Sequence, residues 1–212
     1  RTSSISMLEF TNVTWFFAIM DSLAARVEAE DDAFLSQWGY LSDSLLNLKE
    51  EQIHFEYQQP LIDFEDYLDF TNSMRQTFVQ EEAAWLNHDS LDFSQDPSRD
   101  YPFSIVEMTL LNAGGEVKIG NALLKLTKYG FVYFTDGSVQ KLIRFNDGDM
   151  TVLQDTTVIT NLLEASRSGD CTSWKPKDDF DDYETNKRVK RHVHFHAYPW
   201  GGMSQAEITS YK

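Results

Sequence analysis

Basic side chains and cysteine are both scarce in this chain of 212 residues. It carries 18 Lys and Arg against 34 Asp and Glu, a formal charge of −16. Affinity for a phosphate backbone rests on cations that neutralise phosphates, so this balance argues against nucleic-acid binding. It argues equally against attachment to an anionic membrane surface through charge. One cysteine, Cys171, allows neither an intramolecular disulfide framework nor a multi-cysteine zinc site. The longest apolar stretch lies around Trp15–Met20 and falls well short of the roughly 20 residues that a spanning helix needs. No Gly-x-Ser-x-Gly elbow, phosphate loop or dinucleotide fingerprint occurs. Cys171 lies in a polar stretch without the surroundings of a papain-like nucleophile.

What is present is a folded composition, 42% hydrophobic and 14% aromatic, enough for one domain or two small ones. The charge is uneven. Residues 1–104 hold 20 acids and five bases, and residues 105–212 hold 14 and 13. Acidic helices with one apolar stripe give the first balance. The expected fold is therefore α+β. An acidic helical region over residues 1–102, with one early strand, packs on a small, mostly antiparallel β region over 103–212.

Periodicity fills in the elements. Met7–Phe10 reads as a strand, and Thr11 or Asn12 as the cap of a helix whose Phe16, Ile19, Leu23 and Val27 share a face. The acidic run from Glu28 to Asp32 begins a second helical piece, with Phe34, Leu35 and Trp38 inward. Gly39 ends it in the left-handed conformation. Ser42 caps a helix that carries Leu45, Leu46, Leu48, Ile53 and Phe55 and that Pro60 stops. Further helices carry Phe64, Tyr67, Leu68 and Phe70, then Met74, Phe78, Ala83, Trp85 and Leu86. Residues 88–102, rich in Asp, Ser and Pro, form a loop. Ser104 caps a short helix, and Gly120-Asn121 turns a hairpin that sets Ile119 opposite Ala122 and Val117 opposite Leu124. Phe131–Phe134 is a strand. Ser138–Phe145 is a helix with Val139, Leu142 and Ile143 inward. Residues 151–163 fit strand or helix, residues 166–187 are irregular, Arg188–Tyr198 alternates as a strand and Ala206–Tyr211 begins another.

The run from Leu110 through Leu111-Asn112-Ala113-Gly114-Gly115-Glu116-Val117-Lys118-Ile119-Gly120-Asn121 carries a resemblance. With Leu124-Lys125-Leu126, Gly130-Phe131, Asp136-Gly137, the early Met7–Phe10 and the late Ala206–Thr209, it resembles uncharacterised exported, lipoprotein-like proteins of gut bacteria. The resemblance implies a secreted or envelope-anchored location, with a lipid anchor upstream as one form of it, and further sheet after Lys212. The chain opens on Arg1 without a signal peptide, so this location rests on the resemblance. No catalytic residue is carried over, and the His-rich strand near residue 194 departs from the pattern.

Four constellations could carry chemistry. His192, His194 and His196 alternate along a strand, so their imidazoles share one face about 6.5–7 Å apart. Two can reach one Zn²⁺, with a further ligand drawn from His88, Asp178, Asp179, Asp181, Asp182 or Glu184. The competing reading is a solvated strand, and Lys190 on the same face repels a cation. Asp178–Asp182 lacks the glycine and terminal glutamate of an EF-hand loop, and a self-paired solvated loop is the simpler reading. Asp89, Asp92 and Asp96 could hold Ca²⁺, or serve turns through their own backbone. Tyr198 and Trp200, beside Gly201-Gly202, could stack on a sugar ring or plug the end of a sheet. The carboxylate pairs Glu50-Glu51 and Glu81-Glu82, with Asp63–Asp66, fall on helices, where they make a solvated face.

Two functions follow as expectations. The first is a non-catalytic, exported cell-envelope interaction or structural protein that binds a protein or a glycan through the β region and Tyr198 and Trp200. The second is a metal-dependent hydrolase, with zinc on His192, His194 and His196.

Overall fold

A computed structural model describes residues 6–53, 56, 58–89, 95–101, 103–162, 179–184, 187–198 and 201–211, with backbone alone at 43, 44, 47, 51, 89, 99 and from 179 on. Helices fill the first half and a five-stranded, mostly antiparallel sheet opens the second, an α+β architecture.

The helices are α1 (Val13–Trp38), α2 (Asp43–Ile53), α3 (Gln59–Tyr67), α4 (Met74–Asp89), α5 (Ile105–Leu110) and α6 (Val139–Asn146). The strands of the first sheet are β1 (Glu9–Phe10), β2 (Glu116–Ile119), β3 (Ala122–Thr127), β4 (Gly130–Phe134) and β5 (Val158–Leu162), in that spatial order. β1 joins β2 in parallel, and the other pairs are antiparallel. The β2–β3 hairpin has the expected register, Ile119 opposite Ala122 and Val117 opposite Leu124.

Alternation along β2, β3 and β4 sends apolar side chains to both faces. Val117, Ile119, Leu124, Leu126 and Phe131 pack with Phe16, Met20, Leu23, Leu61, Met74 and the α5 side chains in one core. That core joins residues from both sides of position 103. Leu123, Val132 and Phe134 pack on the opposite face with Leu142 and Phe145 of α6 and Val152. A half-buried sheet would expose one face; here both are covered, which explains why Phe131, Val132 and Phe134 in β4 are all buried.

Several local expectations are corrected. The acidic run Glu28–Asp32 does not interrupt α1, which continues for 26 residues from the Asn12 cap, whose side chain accepts from the Trp15 N–H. These acids occupy exposed positions, where a helix tolerates them. Gly39 ends α1 with φ −62°, not left-handed, while its N–H still bonds the Leu35 carbonyl at 2.7 Å. A Cβ there would stand 2.5 Å from that oxygen, so close approach is what calls for glycine. Phe34 is buried, but Leu35 is exposed and Trp38 half-buried. Pro60 opens α3 rather than closing α2, because a first-turn proline forfeits no helical hydrogen bond. Asp69, at φ 51°, turns the chain after α3, leaving Tyr67 in solvent and Phe70 buried. In α4 Met74 and Trp85 are buried, but Ala83 and Leu86 are exposed. In α6 Leu142 and Phe145 point inward and Val139 does not. Residues 150–154 form a short 3-10 helix before β5.

A second sheet of three strands follows: β6 (Asp179–Glu184), β7 (Lys187–Tyr198) and β8 (Gly201–Tyr211), antiparallel in that order. The expectation of irregular chain over 166–187 fails at β6. Its acids stand opposite bases of β7: Asp179 faces Arg191, Asp182 faces Arg188 and Glu184 faces Lys187. Opposite charges at paired positions favour pairing over a solvated loop.

Candidate functional site

The polar centre of the described residues is the segment Asn112–Glu116, which begins the hairpin. α5 leads into it through a capping box, Ser104 accepting from the Glu107 N–H at 3.1 Å and Glu107 accepting from the Ser104 N–H at 3.0 Å. Asn112 is buried. Its Oδ1 accepts from the N–H groups of Gly114 and Glu116 at 3.0 and 2.9 Å, and its Nδ2 donates to the Ser6 carbonyl at 3.0 Å and to Glu116 Oε2 at 2.9 Å. One side chain thus ties the start of the chain to the hairpin. The backbone of the α3–α4 turn joins in, since Met74 N–H bonds the Leu111 carbonyl and Ala113 N–H bonds that of Asn72.

The Glu116 carboxylate lies on the α6 side of the sheet and is buried. Its Oε1 accepts from Asn146 Nδ2 at 2.6 Å and lies 3.5 Å from Lys125 Nζ, which also donates to the Gly114 carbonyl. Hydrogen bonds of this kind offset the cost of burying a carboxylate. Every oxygen of Asn112 and Glu116 is engaged in holding the loop, so the arrangement clasps three chain segments. The resemblance drew attention to this stretch without indicating the role of Asn112, which joins Glu116 to Ser6, 106 residues before Asn112 itself.

Two further networks are structural in the same sense. Glu65, buried between α3 and α4, accepts from Ser73 Oγ at 2.5 Å, Arg75 Nε at 3.0 Å, Gln76 Nε2 at 2.9 Å and, most closely, Arg75 Nη2. Helical charge patterning placed Glu65 on a solvated face, and its burial corrects that reading. At the other end, Lys141 Nζ reaches Asp136 and Asp155 at 2.7 Å each and Thr157 Oγ1 at 2.6 Å. Its ammonium holds both carboxyls below their ordinary range, and they raise its own pKa. Asp149, bonded by Thr151 and then by Arg144, is lowered to about 2. Tyr101 is raised to about 12, first by burial and then by its bond to Glu81.

The residues singled out in the sequence fall elsewhere. His192, His194 and His196 occupy alternate positions of β7, opposite Glu207, Gln205 and Met203 of β8. The side chains of these three, of Tyr198 and of Asp179–Glu184 lie outside the described residues, as do Asp178, Trp200 and Cys171 altogether. Tyr198 pairs with Gly201, and Gly201-Gly202 belong to β8 rather than to a loop. Asp96 is buried and accepts from Ser98 N–H and Oγ at 3.0 and 2.7 Å, the turn role; Asp92 lies outside the described residues. His88 sits in the last turn of α4. Among the described residues, no group of three or more His, Cys, Asp or Glu side chains is placed to hold a metal, and no helix is long and apolar enough to cross a membrane. No family model, curated protein or solved structure matches the chain.

The feature that sequence reasoning missed is apolar. At the end of α1 and along α2, Leu35 (43% exposed), Tyr40 (77%), Leu45 (52%), Leu48 (48%) and Ile53 (45%) stand in solvent. Lys49 Nζ lies 3.9 Å from the centre of the Trp38 ring, so α2 meets the end of α1 there. The Leu35 signal was present in the sequence, one position from the buried Phe34, but a three-to-four-residue rhythm marks both as inward.

Proposed function

We propose that this is a non-catalytic, exported protein of the bacterial cell envelope that acts by binding a protein or a glycan. The observation that carries the reading is the series of large apolar side chains left in solvent between residues 35 and 53, at the end of α1 and along α2. Exposed large apolar side chains concentrated on one stretch of chain point to an interaction surface more than single scattered leucines do. The buried polar side chains of Glu65, Asn112 and Glu116 support it further, because each is spent on joining chain segments. The exported location is supported by the resemblance of the Leu110–Asn121 stretch. Tyr198 and Trp200 are the residues on which a sugar ring would stack.

The test is binding of the whole chain to glycan arrays and to envelope protein fractions, with Trp200→Ala alongside and metal content measured by elemental analysis. The reading expects a saturable partner in one of the two. A glycan partner would be lost with Trp200→Ala, and a protein partner kept. The reading would be sunk by stoichiometric zinc that disappears in His194→Ala, or by the absence of any partner in both fractions.

A further inference from the structure

We propose that the α1–α2 corner docks a basic amphipathic helix of a partner protein; this rests on the interaction reading above and names the partner's chemistry.

The surface has two properties. Its centre is apolar, from Leu35, Tyr40, Leu45, Leu48 and Ile53. Leu45 and Leu48 are three residues apart on α2 and share a face, a spacing that seats side chains of a second helix. Its surroundings are acidic: residues 28–56 contain eight Asp and Glu and a single base, Lys49. Glu28, Glu30, Asp31, Asp32 and Glu56 are exposed, and Asp31 and Asp32 stand one helical turn before Leu35. The single base of this stretch, Lys49, lies over the Trp38 ring and is outnumbered eight to one.

The charge selects the occupant. A second copy would bring the same acidic rim against this one, and like charges across an interface oppose it. An anionic bilayer is disfavoured for the same reason. A neutral apolar segment would gain contact area but nothing from the rim. A helix with leucines on one face and lysines or arginines beside them satisfies both parts, and its charge would speed encounter.

The probe is a synthetic Leu/Lys helix of amphipathic spacing, titrated against the whole chain by calorimetry. Saturable binding is expected, weakened about tenfold by Leu45→Ser with Leu48→Ser, the size that losing two apolar anchors gives. Asp31→Lys with Asp32→Lys, which leaves the apolar centre intact, and a peptide with Gln for Lys should each weaken it as well. Tyr67→Ser, at an exposed aromatic elsewhere, should not. Far-UV circular dichroism and urea midpoints check that each variant is folded, and the charge variant decides the matter should the serine variant unfold. The proposal is overturned if the peptide does not bind, or if neither double variant weakens it. It is also overturned if sedimentation shows self-association that the serine variant abolishes, or if anionic phospholipid vesicles bind through the same leucines. Should envelope partners still bind the serine variant at full strength, this surface is wrong and the interaction reading survives; should no envelope partner bind the unaltered chain, the interaction reading fails by itself.

Discussion

Glu65 and Arg75 show how one buried pair constrains this molecule. Both are buried, and Ser73, Gln76 and Gln58 complete their hydrogen bonds. Removing one partner leaves an uncompensated charge in a dry site, so Arg75→Met should lower stability by about 3–5 kcal/mol in urea unfolding. Glu65→Leu combined with Arg75→Met should cost distinctly less, because no lone charge remains. A double variant as unstable as the single one would show that the pair itself, rather than its desolvation, matters. The acidic side of the pH profile belongs to other residues. Asp136, Asp149 and Asp155 have folded pKa values below the ordinary 3.8. Unfolding therefore takes up protons. Their contribution is complete above about pH 4 and is lost as pH falls toward 2. Asp155→Asn should flatten that loss in acid-titrated urea melts. Tyr101 works at the other extreme: raised to about 12, it holds its proton when the unfolded chain has lost it, so stability falls between pH 10 and 12. Tyr101→Phe should reduce this alkaline slope.

Elements divide into those legible in the sequence and those that tertiary context decides. The β2–β3 hairpin was fully legible, down to its register, because a two-residue turn and alternating apolar residues leave one way to pair. The Ser104 cap was legible too, since a hydroxyl three residues before a glutamate is a local arrangement. Ser104→Ala should cost about 1 kcal/mol. α1 was misread as two pieces because charge density reads as a boundary, whereas an exposed helical face simply accommodates it. β6 was missed because its acids mean little until Arg188 and Arg191 stand across from them. Pro60 was read as a stop, although proline equally begins a helix. Gly130 joins two elements: at φ 133°, its Cβ position would fall 1.9 Å from the Asn161 carbonyl oxygen of β5. Gly130→Ala should force β4 and β5 apart at that end. Hydrogen exchange at the β5 amides should then be faster, with β2–β3 unchanged.

At the scale of the whole molecule, helices and sheet are held by shared burial rather than by a seam at position 103. Phe16, Leu61 and Met74 from the first half lie in one core with Val117, Leu124 and Phe131 from the second. Alternation and helical rhythm made the α+β class readable, but neither announces which helix lies on which face of the sheet. The exposed apolar residues at the end of α1 and along α2 were invisible for the same reason, since a sequence marks residues as oily without showing which of them face solvent. The excess of acid there gives the corner its preference for basic partners, and raising salt to about 1 M, where charges are screened within about 3 Å, should weaken such binding. Amide hydrogen exchange of the whole chain, with and without saturating envelope extract, tests most directly the claim that this protein works by binding. Slowed exchange over residues 35–53, at the end of α1 and along α2, is the predicted result; unchanged exchange at every amide would contradict it.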